Sequence, residues 1–144
     1  MYDEILVPTD GSQAAEQAIE HAIDIAAQYG ARVHALYVVD ASAYSALEAG
    51  SEVVMGALEE EGEEAVEHVS EAAREADVDA ETSVVAGAAY RTILDYADEH
   101  DVDLIVMGTH GRQGLDRYLL GSVTERVVRS SDVPVMTVRM HDEE

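Results

Sequence analysis

The sequence predicts an α/β fold, a doubly wound parallel sheet of five strands in the order 3-2-1-4-5 with helices on both faces. Short apolar runs alternate along the 144-residue chain with segments whose apolar residues recur at helical spacing. One run, residues 103–107, has no polar alternation after Asp103, which is typical of a strand covered on both faces. This alternation of strands and helices predicts a single domain over residues 1–144.

The first two predicted strands flank a well-marked helix. Residues 4–9 form an apolar run that ends at a proline and a DGS turn, so they predict a buried strand and a loop. Ser12 can cap the helix that follows, and Gly30 ends it. The inward face of this helix is marked by Ala15, Ile19, Ala22, Ile23 and Ala26. Residues 32–39 predict the second strand, and Asp40 follows at its carboxyl end.

The middle of the chain has a weaker pattern at its start. Residues 41–58 contain small residues and two glycines, and they indicate a loop with a short helix. Residues 59–76 predict a helix because apolar residues mark one face and glutamates cover the other. Residues 81–86 predict the third strand, and residues 88–100 predict the third helix.

The last third of the chain contains the longest connection. Residues 103–107 predict the fourth strand, and a glycine-bearing loop follows it. Residues 122–131 predict a helix, and residues 133–139 predict the fifth strand. Ligands of such sheets bind at the carboxyl ends of the strands, where the strand order reverses. We therefore expect a site at the carboxyl edge of the sheet, where four strands end after Thr9, Val39, Ala86 and Met107.

The charge balance is strongly acidic. Eight basic residues, all of them arginine, stand against 31 acidic ones, and the formal net charge is −23. Such a surface repels the phosphates of nucleic acids and of anionic membranes, so neither is expected as a partner. The acid is spread over every predicted helix, which favours a halophilic protein, because at ~1 M salt self-repulsion is screened within roughly 3 Å. The alternative is an acidic protein that binds basic partners.

Other absences in the sequence narrow the class of protein. The chain has no cysteine, which excludes disulfides, thiol catalysis and zinc sites built on thiolates. No apolar run reaches the ~18 residues of a membrane-spanning helix, and the acidic start lacks the basic region of a secretory signal peptide. The histidines form no spaced pair, so no protein metal site is predicted. We expect a cytoplasmic protein.

The segment from Gly108 to Ser122 carries the strongest chemical signal. Its glycines allow backbone amides to approach an anion closely, and Gly121 and Ser122 stand where the next helix begins. A helix N-terminus offers unpaired N–H groups and the positive end of a dipole, which suits phosphate. The segment is neither a lysine-containing P-loop nor the dinucleotide fingerprint G-x-G-x-x-G. The alternative is a glycine-rich connection without a ligand.

The spacing of this segment resembles a known signature. The pattern G-x2-G-x9-G-[ST] is met by Gly108, Gly111, Gly121 and Ser122. It looks like the nucleotide-binding signature of the universal stress protein family, in its ATP-binding branch. The resemblance covers nearly the whole chain, because residues 5–12, 36–40 and 103–139 also resemble segments of that family.

The resemblance implies which residues hold ATP. The nucleoside would contact Pro8, Thr9, Asp10, Val38, Met107 and Gly108. The phosphates would be held, largely through backbone amides, by Gly111, Gly121, Ser122 and Val123. Asp10 would accept hydrogen bonds from the ribose, although it could also be only a turn residue before the helix. In the same loop, Arg112 could pair with a phosphate, and His110 could donate to one or lie exposed.

Function follows as an expectation from these roles. We expect an ATP-binding stress-response or regulatory protein, with magnesium held mainly by the phosphates and water. Phosphoryl transfer needs positioned charge and a positioned nucleophile, and a chain without lysine offers only His110 and Asp10, so hydrolysis should be slow at most. No catalytic residue is assigned. The alternatives are an ATP-independent dimeric interaction module and a phosphoryl-transfer enzyme. The apolar strand 133–139 predicts a homodimer, by edge pairing and by the resemblance.

Overall fold

The computed structural model describes residues 1–39, 51–109 and 121–139. The described strands are β1 (Glu4–Pro8), β2 (Arg32–Val39), β3 (Ala80–Ala86), β4 (Leu104–Gly108) and β5 (Val135–Val138). The described helices are α1 (Gln13–Tyr29), α2 (Ser51–Glu75), α3 (Ala89–Glu99) and α4 (Ser122–Ser130). Within these ranges no helix combines the length and apolar character that a membrane span requires.

The strands form one parallel sheet in the order β3-β2-β1-β4-β5, so the predicted topology is confirmed. β1 is central: Ile5 is paired with Val33 of β2 on one side and with Leu104 of β4 on the other. The chain runs outward from β1 to β2 and β3, and then crosses back to β4 and β5. The strand order therefore reverses at the carboxyl end of β1, which is the place where such sheets form a crevice.

Two helical layers cover the sheet because successive side chains of its central strands point to opposite faces. Ile5 and Val7 face the layer of α1 and α2, whereas Leu6 packs with the side chains of α3 and α4. All three side chains are fully buried. This double coverage explains why β1 and β4 are apolar without alternation in the sequence.

The two ends of α1 compare differently with the sequence prediction. Gly30 ends the helix in the left-handed conformation, with φ 69°, as predicted. The prediction that the Ser12 side chain caps the helix is wrong: Ser12 stands at the N-cap position, but its Oγ makes no cap hydrogen bond. The side chains of Thr9 and Asp10 close this turn instead, because they accept the N–H groups of Gly11 and Ser12.

The largest boundary difference concerns α2, which begins at Ser51 and has 25 residues. The predicted helix 59–76 is only its later part, and residues 51–58 are helical throughout rather than mainly a loop. Glycine at 56 costs about 1 kcal/mol relative to alanine in a helix, so local signals underestimate the helical start of α2. Packing of Leu58 and Val66 against the sheet compensates for this cost. Residues 40–50 lie outside the described residues.

Candidate functional site

The carboxyl ends of β1, β2 and β4 lie side by side and form the floor of the candidate site. β1 ends at Pro8, which has no N–H, and the Thr9 N–H continues the ladder by donating to the Leu36 carbonyl at 2.8 Å. Val38 is the penultimate residue of β2 and is half-buried. Gly108 ends β4 and is buried. These are three of the four strand ends at which the sequence predicts a site, and the fourth, after Ala86, belongs to the outer strand β3.

The turn after β1 presents Thr9 and Asp10 at this edge. Thr9 is buried, and its Oγ1 accepts the Gly11 N–H at 3.1 Å. Asp10 is half-buried, and its Oδ1 accepts the Ser12 N–H at 2.9 Å. Gly11 has φ 78°, a conformation that favours glycine, so the tight turn depends on this residue. A carboxylate has about four acceptor positions, so Asp10 can accept hydroxyl groups besides this amide.

The first turn of α4 is fastened to the end of β4 by two hydrogen bonds. The Gly121 N–H donates to the Thr109 carbonyl at 2.7 Å, and the buried Thr124 Oγ1 donates to the Gly108 carbonyl at 2.9 Å. Gly121 is the N-cap residue and has no side chain that could accept the N–H groups of the first turn. The positive end of the α4 dipole is therefore held beside the floor of the candidate site, with Ser122 exposed and Val123 half-buried.

The predicted site residues differ in how far the structure describes them. Nine of them lie at the carboxyl edge, at the ends of β1, β2 and β4 or at the start of α4: Pro8, Thr9, Asp10, Val38, Met107, Gly108, Gly121, Ser122 and Val123. The Met107 side chain is 6% exposed and packs in the core beneath α3 and α4. His110, Gly111 and Arg112 lie outside the described residues, so their assignment stays a prediction.

Two arginines and a tyrosine beside this edge were not predicted. The Arg126 guanidinium lies 4.8 Å from the centre of the Tyr90 ring, and Arg91 is hydrogen-bonded to the Tyr90 side chain. The hydrogen bond and the charge of Arg91, with a smaller contribution from Arg126, lower the pKa of Tyr90. Tyr90 and Arg126 are far apart in the sequence, so only the packing of α3 against α4 brings them together. The sequence signal that could have found Arg126 is its position, one helical turn after Ser122.

A metal site built from protein side chains is not found in the described part of the chain. No group of three or more histidine, aspartate or glutamate side chains there could hold a metal ion. The polar groups at the carboxyl edge are backbone amides and hydroxyl groups, which can donate hydrogen bonds, and the Asp10 carboxylate, which accepts them. That set suits an anionic ligand with hydroxyl groups, such as a nucleotide.

Comparison with known proteins agrees with this architecture. The family model described as universal stress protein family matches residues 1–139. Universal stress protein MJ0531 of Methanocaldococcus jannaschii is 44% identical over 141 residues, which cover 96% of this chain and 83% of the relative. The structure of universal stress protein UspA from Lactobacillus plantarum is similar, with a TM-score of 0.88 and 34% identity over 96% of this chain and 98% of that chain.

A further solved structure bears on the ligand class. It is a universal stress protein in complex with cAMP, with a TM-score of 0.71 and 27% identity over 96% of this chain and 97% of that chain. The family model and the relatives each span nearly the whole of this chain. The chain therefore belongs to the universal stress protein family.

Proposed function

We propose that this chain is an ATP-binding stress-response protein whose nucleotide lies across the carboxyl ends of β1, β2 and β4. The observation that carries the proposal is the start of α4: a glycine N-cap leaves the first-turn N–H groups without a side-chain acceptor. The relative that was solved with cAMP supports an adenine nucleotide as the class of ligand.

The nucleoside would lie over the turn after β1. The Asp10 carboxylate accepts hydrogen bonds from the ribose hydroxyls, and Pro8 and Thr9 line the same end. Val38, near the end of β2, contacts adenine through its backbone. This arrangement uses the reversal of strand order beside β1, which is where sheets of this kind bind ligands.

The phosphates would lie at the N-terminus of α4. Gly121, Ser122 and Val123 offer backbone N–H groups, and the dipole of the nine-residue helix favours a negative charge there. Gly111 and the side chains of His110 and Arg112 are proposed to complete this end. Magnesium would arrive with ATP and be held mainly by phosphates and water, with Asp10 as a candidate protein ligand.

We expect regulation instead of rapid turnover. The chain has no lysine, and Asp10 is the acidic residue that we assign to the nucleotide, so the proposal gives the site no nucleophile and no second protein ligand for a metal. A dimer through strand 133–139 would provide an output surface. β5 is an edge of the described sheet, and Met136 on this strand and Val128 on α4 are 36% and 43% exposed.

Calorimetric titration of Mg-ATP tests the proposal, in concentrated KCl and with nucleotide-free protein. The decisive variant is Gly121→Asp. Aspartate is a favourable N-cap residue, so the variant should fold, and its carboxylate would occupy the amide donors that we assign to phosphate. Ser130→Asp is the matched control because it adds the same charge at the exposed other end of α4.

The expected result is ATP binding by the wild type and by Ser130→Asp, with at least about a tenfold weaker affinity in Gly121→Asp. Circular dichroism of each protein establishes that it is folded. A folded wild type that binds no adenine nucleotide would contradict the proposal and favour the ATP-independent interaction module. Equal ATP affinity in Gly121→Asp and Ser130→Asp would place the phosphates elsewhere.

A further inference from the structure

Arg126, in the second turn of α4, contacts Tyr90, in the first turn of α3. The Arg126 guanidinium lies 4.8 Å from the centre of the Tyr90 ring, within the range of a cation–π interaction. Tyr90 is the second residue of α3, which begins shortly after β3 ends. Both α3 and α4 start at the carboxyl edge of the sheet, so the contact lies at the same edge as the candidate site.

The side-chain direction brings Arg126 close to the start of α4. Residues four apart lie on the same face of a helix, so Arg126 shares a face with Ser122. Side chains on a helix lean toward its N-terminus, so Arg126 extends over the first turn of α4 and not away from it. The position of its guanidinium over a ring in the first turn of α3 agrees with that direction.

Two of the six described arginines form ion pairs with carboxylates, and Arg126 is not one of them. Arg32 pairs with Glu4 and Glu81, and Arg129 pairs with Glu125. Among the described residues, no acidic side chain lies within ion-pair distance of Arg126, whose side chain is exposed. Arg91 adds a second guanidinium at the same tyrosine. A chain with a net charge of −23 thus keeps a local positive cluster beside its proposed phosphate site.

We propose that Arg126, held by the Tyr90 ring, binds the outer phosphates of the nucleotide and makes the site selective for ATP over AMP. The inference rests on the proposed function, and it adds a side-chain contact to the amides of α4. The Arg126 guanidinium carries five N–H donors, so the donors that are not used at Tyr90 can bind phosphate oxygens. Tyr90 is a positioning residue because it acts through Arg126.

Calorimetric titrations of ATP and AMP into Arg126→Gln test the inference, at the lowest KCl concentration at which every protein is folded. The hydrogen bonds of an arginine to phosphate are charge-assisted, so we expect ATP affinity to fall about tenfold to a hundredfold. AMP affinity should be unchanged because AMP has no outer phosphate. Arg129→Gln is the matched control: it removes the same charge one turn later on α4 and should bind both nucleotides as the wild type does.

Two further variants test the role of Tyr90. Tyr90→Phe keeps the ring and should retain most of the selectivity, whereas Tyr90→Ala should lose it and approach Arg126→Gln. Unchanged ATP affinity in Arg126→Gln overturns the inference, and so does an equal loss for ATP and AMP or an equal loss in Arg129→Gln. A wild type that binds neither nucleotide overturns the proposed function itself, which distinguishes the two failures.

Discussion

Glu4 Oε1 lies 2.6 Å from Nε2 of His34, a histidine whose side chain is 2% exposed inside the sheet. The other ring nitrogen, Nδ1, lies 2.8 Å from the Tyr96 hydroxyl. With hydrogen on Nε2, the ring donates to Glu4 and accepts from Tyr96, so both nitrogens have partners. The Glu81 carboxylate lies 3.6 Å from Nδ1 on the neighbouring strand β3. One buried imidazole thus joins β1, β2 and α3 at the edge opposite the candidate site.

Replacement of His34 should therefore cost more than the loss of one packed side chain. His34→Ala leaves a cavity and also removes one hydrogen-bond partner each from Glu4 and Tyr96. We expect the free energy of unfolding to fall by about 2–4 kcal/mol. Urea unfolding at constant KCl measures this change.

The matched control is His21→Ala on α1. His21 is exposed, and its Nδ1 contacts only the Gln17 carbonyl one turn earlier in the same helix. Its replacement should change the free energy of unfolding by less than about 0.5 kcal/mol. Similar losses in the two variants would show that the buried network adds nothing to the stability.

Because Tyr96 is buried, we expect the protein to lose stability at alkaline pH. Burial raises the pKa of Tyr96, and the charges of Glu81 and Glu4 act in the same direction against the opposing effects of Ser83 and Arg32. Above pH ~10 an unfolded tyrosine releases its proton while native Tyr96 keeps it. The contribution of neutral Tyr96 to the free energy of unfolding is therefore fully present below that pH, and it is lost as the pH rises through the raised native pKa.

Urea unfolding of the wild type and of Tyr96→Phe at pH values from about 8 to about 11 measures how steeply the free energy of unfolding changes with pH. The variant also removes the hydrogen bond to His34, but that cost is an offset present at every pH, so the slope isolates the ionisation. We expect a steeper alkaline decline in the wild type. Parallel curves would mean that the burial of Tyr96 does not favour its neutral form.

The fold could be predicted where independent patterns in the sequence indicated the same structure. The apolar run of β4, the glycine that ends α1 and the alternation of elements all indicated one parallel sheet, and that sheet is present. The start of α2 was missed because Gly56 weakens the local helix signal. Long-range packing of that helix on β2 decides the outcome, and a local pattern does not contain it.

The sequence could likewise predict some features of the candidate site and not others. Topology alone predicts ligands at the carboxyl ends of the strands, so the sequence could point to the ends of β1, β2 and β4 together with that of β3, and the ligand assignment stays a prediction. Ser12 was misjudged because N-cap preference does not tell whether the side chains of Thr9 and Asp10 already close the turn. The contact between Arg126 and Tyr90 could not be foreseen, since it depends on how α3 packs against α4.

The two glycines inside α2 should respond oppositely to alanine. A Cβ atom at Gly62 would lie 2.6 Å from Cδ1 of the buried Tyr37 ring, whereas a Cβ atom at Gly56 meets no atom of the residues that the structure describes within 4 Å. Alanine gains about 1 kcal/mol over glycine in a helix interior. At Gly56 this gain is not opposed, so Gly56→Ala should stabilise the protein by up to about 1 kcal/mol.

At Gly62 the steric term should be larger than the gain in helix propensity. The contact involves the Cδ1 and Cγ atoms near the base of the Tyr37 side chain, and Tyr37 is 5% exposed, so the ring cannot move aside freely. Overpacking of this kind costs about 1–3 kcal/mol, and Gly62→Ala should therefore be destabilising. Thermal unfolding of both variants at the same KCl concentration gives the signs. A stabilised Gly62→Ala would mean that α2 can move away from β2 at little cost, and the close approach of its backbone to Tyr37 would then not require glycine.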